Sequence, residues 1–392
     1  MEQPAQDHSR EAASTPPAAA APPAGSWLDA APPASSAGRI EAIDLARGFA
    51  VCLMILSHGV NGLLSFDQFT DWGMVPVHAV TKFSSSLFVL VFGIAMAVAF
   101  LPKALTPEWP RYRLKLLLTG VVVLFWYKVL TVVEMNHLYE PSDIVDALLY
   151  RDFPSYVEIL GFYAIALLWI PFFLPIWARL PAWARWSSPV ALGLVSWALL
   201  VHFDFWGMPT LQALLVEHPD YYTWGQLARG PLILAGLVIG GLVLAWYADP
   251  VRRRQLAAAL AGAGVLSLAV YFLLARHDVS GELLAVAHNA GKHPPELAFM
   301  LFSVGGALLL LGLSLLGGER LALWLRPVTV VGSNALQAFI FHIVVIFVVF
   351  RLLLGWFHTV SYEFALGWAI ALVFMTAAWI RGIAWIEVRR RS

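Results

Sequence analysis

The sequence predicts an all-α, polytopic integral membrane protein with about ten transmembrane helices and both termini cytoplasmic. Three observations carry that prediction. Of 392 residues, 60% are hydrophobic and only 13% charged, with a mean hydropathy of +0.73, which no ordinary soluble domain shows. The apolar residues collect in runs of about 20, the length a helix needs to cross a hydrocarbon core. Finally, the connections between runs alternate in charge. Leaving out Arg10, the set that includes both termini holds 17 of the remaining 24 Lys and Arg. By the positive-inside rule that set is cytoplasmic.

Residues 1–38 are rich in Ala, Pro and Ser and are expected to form a disordered cytoplasmic tail, with residues 39–392 as one transmembrane domain. The first span, 43–64, is the most informative. It carries Asp44, Arg47 and His58 inside an apolar run. At 100° per residue these share one face with Val51, Met54 and Asn61. Arg47 and His58 stand about 16 Å apart along the axis. Ionisable groups at such depth are costly and face a bundle interior or a watery cavity. Asp44 and Arg47 read either as an interfacial ion pair or as part of a site. His58 reads as a group that takes and returns a proton.

The second span, 79–101, opens with Lys82. Lys103, Arg111, Arg113 and Lys115 make a basic connection into a third span, 113–133. An acidic loop precedes spans at 158–176 and 187–203, and further spans follow at 226–246 and 257–275. The loop after them holds His277, His288, Lys292 and His293. Spans at 297–316, 327–350 and 363–383 complete the set. In the ninth, GSNALQAFIFH brings Asn334 and His342, and the alternation of spans places His342 at a depth similar to His58. Ser333, Asn334 and Gln337 also suit polar contacts between helices. Arg111 and Arg113 suit phosphate groups, although topology alone also puts basic residues there. A net charge of zero gives no argument for nucleic acid. The single cysteine, Cys52, forms no intramolecular disulfide, and no metal-ligand spacing stands out.

Arg47, ten residues and then His58, after Asp44 and before Gly48, resembles the first helix of the membrane-embedded acyltransferases. These comprise the acyltransferase-3 proteins, the glucan succinyltransferases and the bacterial relatives of heparan-α-glucosaminide N-acetyltransferase. GKHPPELAFMLFSVG at 291–305 is similar to the Lys-aromatic-Pro-Pro-Ser-Leu signature of the last group, with His293 in place of Tyr and Glu296 in place of Ser. KFSSSLFVLVFGIAMAVAF at 82–100 resembles the Phe-Val-Phe-x-x-Gly helix, with Gly93 for close packing, but lacks the Phe-Pro-Trp-Phe form of the heparan-type enzymes.

The resemblance implies acyl transfer from cytoplasmic acyl-CoA, acetyl-CoA foremost, to a hydroxyl or amine of a glycan or other small acceptor at the outer face of a bacterial inner membrane. No metal is expected. His58 is the catalytic candidate, as base or as acyl relay. Asp44, Arg47, Asn61, Lys82, Arg111, Arg113, Lys292, Asn334 and His342 are the candidates for binding donor or acceptor. The alternative is a proton-coupled transporter or flippase that uses the same intramembrane groups as a relay. An internal repeat would favour it, and the sequence shows none.

Overall fold

A computed structural model describes residues 40–68 and 72–391; the expected tail, 1–38, lies outside the described residues. Ten helical segments among them are long and apolar enough to cross a membrane. In chain order the helices are α1 (Glu41–Leu63), α2 (Val75–Thr81), α3 (Phe83–Phe100), α4 (Trp109–Met135), α5 (Pro141–Leu148), α6 (Glu158–Arg179), α7 (Ala182–His202) and α8 (Pro209–Val216). They continue with α9 (Gln226–Trp246), α10 (Pro250–Leu274), α11 (Val279–Ala287), α12 (Leu297–Trp324), α13 (Arg326–Ser333), α14 (Ala335–Val344) and α15 (Tyr362–Arg391). Helices α2 and α3 together make the second span, and α14 runs on as a π-helix, Val345–Leu353, to make the ninth.

Helix α1 is the axis of the bundle and packs on α3, α12, α13 and α15. Its polar residues are tolerated because that packing takes them out of lipid. Two glycines set how close α13 comes. A Cβ on Gly48 would lie 2.1 Å from the Val328 carbonyl oxygen, and one on Gly332 would lie 2.0 Å from that of Asp44. Backbones this near admit no side chain, as small-residue contacts between membrane helices require. The expectation for Gly93 holds in the same way, since it meets α9 at Gly236. The Ser65 amide donates to the Val360 carbonyl at 3.1 Å, so the end of α1 meets the start of α15. Glu41 and Arg391 therefore share one face, called the terminal face below, and the opposite one is the distal face.

Several boundaries differ from the sequence expectation. The third span begins at Trp109 rather than 113, with Pro110 in its first turn. Arg111, Arg113 and Lys115 thus ride on α4 instead of in a loop. The second span begins at Val75 and breaks at Lys82. The ninth is not one helix: Asn334 leaves the helical region (φ −128°, ψ 45°), and its side chain donates to the Val330 carbonyl (3.2 Å) and the Ser333 hydroxyl (2.8 Å). Those local bonds compete with helix continuation. Pro294 and Pro295 lie in the turn before α12, whose first residue is Leu297, so they do not occupy its first turn. The short helices α5, α8 and α11 lie in connections that were expected to be loops.

Candidate functional site

His58 on α1 and His342 on α14 meet in the bundle. His58 Nδ1 and His342 Nε2 are 3.1 Å apart, and His342 Nδ1 lies 2.9 Å from the Ala338 carbonyl oxygen. A carbonyl only accepts, so His342 carries its proton on Nδ1. In a neutral imidazole Nε2 is then the acceptor, and His58 must donate to it from Nδ1. By that chain of bonds one backbone oxygen leaves the His58 lone pair on Nε2. That nitrogen makes no hydrogen bond among the described residues. Phe339 and Tyr156 hold the ring from two sides, with centroids 6.3 and 5.3 Å away.

Two cavities converge here. The first, of about 290 Å³, is walled by Phe88, Phe92, Met96, Leu116 and Phe339 among others, and both Arg47 and Lys115 line it. Arg47 also donates to Asp44 (3.4 Å) and to the Gly332 carbonyl (3.3 Å). Since Lys115 stands in the second turn of α4 and Arg47 in the second turn of α1, the cationic end belongs to the terminal face. The second cavity is small, about 40 Å³, and polar. His58, Ser57, Lys82, Glu158, Trp224, Asn289 and Lys292 border it. Ile159 lines both, so a thin wall beside His58 divides an apolar chamber from a charged one.

Lys82, at the junction of α2 and α3, borders that second cavity. Lys82 is buried, and its Nζ makes no hydrogen bond or ion pair among the described residues, whereas its carbonyl accepts from Ser85 and Ser303. Across from it, Lys292 Nζ lies 3.4 Å from Glu158 Oε1 and 2.6 Å from the Tyr222 hydroxyl. Two lysines and one glutamate thus border the same small cavity. Burial alone pulls the Lys292 ammonium down, but Tyr222 and Glu158 outweigh it, and the net lies above the ordinary lysine value.

Behind Lys292 a buried ion network fixes its loop. Arg229 Nε donates to Glu217 Oε1 at 2.8 Å, and its Nη2 donates to the Lys292 carbonyl. His293 Nδ1 lies 2.8 Å from Glu217 Oε2. Burial pushes the Glu217 carboxyl up, yet Arg229 and the His293 bond more than reverse that and hold it below the ordinary value. Burial lowers His293 to about 4. Its Nε2 has no acceptor, so a second ring proton there would be stranded.

The acyltransferase domain model matches residues 40–382. The chain belongs to the acyltransferase-3 family. No curated protein sequence matches it. Together with the ten spans, the family makes the chain a membrane acyltransferase.

Of the residues singled out in the sequence, His58, Lys82, Lys292 and His342 come together at the second cavity or its wall, and Arg47 lines the first. Asn61 lies one turn beyond His58 in a neighbouring pocket with His78, His288 and Asn289. Arg111 and Arg113 stay exposed on α4, Arg113 over the Phe172 ring at 5.5 Å, and Lys115 rather than either of them reaches the first cavity. Asn334 breaks the helix just before Ala335 and Leu336, which line that cavity. Asp44 is buried against Arg47. Glu158, Glu217, Tyr222 and Arg229 escaped the sequence reading. Arg229, four residues into an apolar span, carries the same signal that drew notice to Arg47.

Proposed function

We propose that this acyltransferase moves an acyl group, acetyl foremost, from acyl-CoA held at the cytoplasmic terminal face to a hydroxyl of a glycan or other small acceptor at the distal, outer face of a bacterial inner membrane. Arg47 and Lys115 meet the donor's anionic portion, and the apolar cavity takes its thioester arm toward His58. Arg111 and Arg113 on the adjacent α4 surface extend that positive field. The acceptor hydroxyl attacks the thioester carbonyl as His58 Nε2 takes its proton. The new oxyanion forms beside Lys82, whose uncompensated ammonium stabilises charge that appears only in the transition state. Collapse breaks the C–S bond, and the His58 imidazolium returns the proton to the leaving thiolate, which restores the neutral pair.

One observation carries this reading: the Ala338–His342–His58 hydrogen-bond chain, which leaves a basic nitrogen between a cation-mouthed apolar cavity and a charged polar one. Short-chain acyl-CoA is added to inverted and to right-side-out vesicles, and released thiol is measured. Release from acetyl-CoA by inverted vesicles alone is expected. Consumption of no short acyl-CoA in either orientation, with acceptors present, would overturn the donor assignment.

A further inference from the structure

Outside the polar cavity at His58 lies a second small pocket that the proton chemistry does not use. Asn61, His78, Ala287, His288 and Asn289 are among its walls, and it measures about 80 Å³. On two neighbouring helices at once it stands one turn nearer the distal face than the reaction cavity. On α1, Asn61 follows Ser57 by four residues and donates to its hydroxyl at 3.5 Å. On α2, His78 precedes Lys82 by four, and Ser57 and Lys82 both border the reaction cavity. His288, just past α11, is exposed, so the pocket has a wet rim on the side opposite the donor.

Asn289 is the one residue that borders both spaces. It is half-buried, and its carboxamide makes no hydrogen bond among the described residues. Its backbone is held, because the Asn289 amide donates to the Val286 carbonyl and the Lys292 amide donates to the Asn289 carbonyl, both at 3.0 Å. A fixed backbone with an uncommitted side chain thus marks the neck between the two. Size narrows what passes it. The reaction cavity measures about 40 Å³, little more than the roughly 30 Å³ that one water occupies in the liquid. Sites that enclose a whole small molecule start at roughly 300 Å³. A hydroxyl on a ring carbon brings two ring neighbours with it, whereas a terminal hydroxyl brings a single methylene. Only the terminal hydroxyl fits the two spaces end to end.

We propose that this pocket is the doorway through which the acceptor reaches His58, and that its narrow neck at Asn289 selects the terminal hydroxyl of an unbranched arm, a primary alcohol, over a ring hydroxyl. The selection rests on the acyl-transfer reading; the doorway is tested without it. Glycerol and myo-inositol, the second with ring hydroxyls alone, are offered with acetyl-CoA to the purified full chain, and the esters are located by NMR. Wild type should acylate the glycerol terminus roughly tenfold faster than myo-inositol. Asn289→Gly, which the positive φ of 65° accommodates, widens the neck and should bring the two rates together. Separately, Ala287→Cys in right-side-out vesicles is treated with a membrane-impermeant thiol reagent, with wild type, whose Cys52 is buried, as the blank. The new thiol should be labelled, and the label should abolish transfer to glycerol. Equal rates on the two polyols, an unchanged preference in folded Asn289→Gly, or full transfer by the labelled Ala287→Cys protein would each overturn the proposal. Labelling without release of thiol from acetyl-CoA by wild type would sustain the doorway and fail the transferase reading. Transfer to glycerol with the thiol beyond reach of the reagent would fail the doorway alone.

Discussion

His342 touches no cavity that the donor or acceptor would enter, and its value lies in fixing His58. In His342→Ala the buried His58 Nδ1–H loses its acceptor, which costs about 1–3 kcal/mol. At ~1.36 kcal/mol per tenfold, turnover should fall by roughly 5- to 150-fold, with further loss from rings in the wrong tautomer. Because the donor is bound elsewhere, its KM should move less than about twofold. His342→Gln keeps a carbonyl oxygen able to accept from His58 and should recover part of the rate. The assay is steady-state acyl transfer on the folded, purified fraction, since removing a fully buried ring also costs stability. Wild-type turnover in His342→Ala would refute the hydrogen-bond chain, and so would equal losses in the Ala and Gln variants.

Other expectations concern the scaffold. His293 carries less proton in the folded state than its ordinary value of 6.5 allows, being held at about 4. Between those pH values the unfolded chain binds more protons, so stability should fall as pH drops from 6.5 to 4, by up to about 3 kcal/mol. His293→Gln, which still donates to Glu217, should flatten that slope in thermal unfolding, and an unchanged slope would contradict the assignment. Lys292→Met strands the buried Glu158 carboxylate and should destabilise by about 3–5 kcal/mol. Lys292→Met combined with Glu158→Gln should unfold at a higher temperature than Lys292→Met alone, and additive losses would dismiss the pair. Gly332→Ala places a methyl 2.0 Å from the Asp44 carbonyl and should part α13 from α1, read as loss of monodisperse protein in detergent.

The spans were legible because length and hydropathy decide them, and the polar stripe of α1 was legible because charge inside an apolar run has few innocent explanations. Sequence also paired His58 with His342, but only by depth; the 3.1 Å contact depends on how α14 turns after Asn334. That break, like the one at Lys82, arises from tertiary packing and local side-chain bonds that hydropathy does not register. Lys82 opens the second span in the sequence, and the structure places it at the junction of α2 and α3, on the border of the cavity. Glu158, Glu217 and Tyr222 sit at span edges or in loops where polar residues are ordinary. Their importance comes only from the partners brought from afar, Lys292 and Arg229. Arg111 and Arg113 illustrate the reverse. A basic cluster suits donor phosphates equally at any register, and it is Lys115, one turn further along α4, that lines the cavity.

The central claim is that His58 moves the proton in acyl transfer. It is tested most directly by incubating purified wild-type and His58→Ala proteins, matched in melting temperature, with radiolabelled acetyl-CoA and a panel of glycan acceptors, and counting label in product. Label should pass to acceptor with wild type and fall to background with His58→Ala. Transfer by His58→Ala at the wild-type rate would contradict the account.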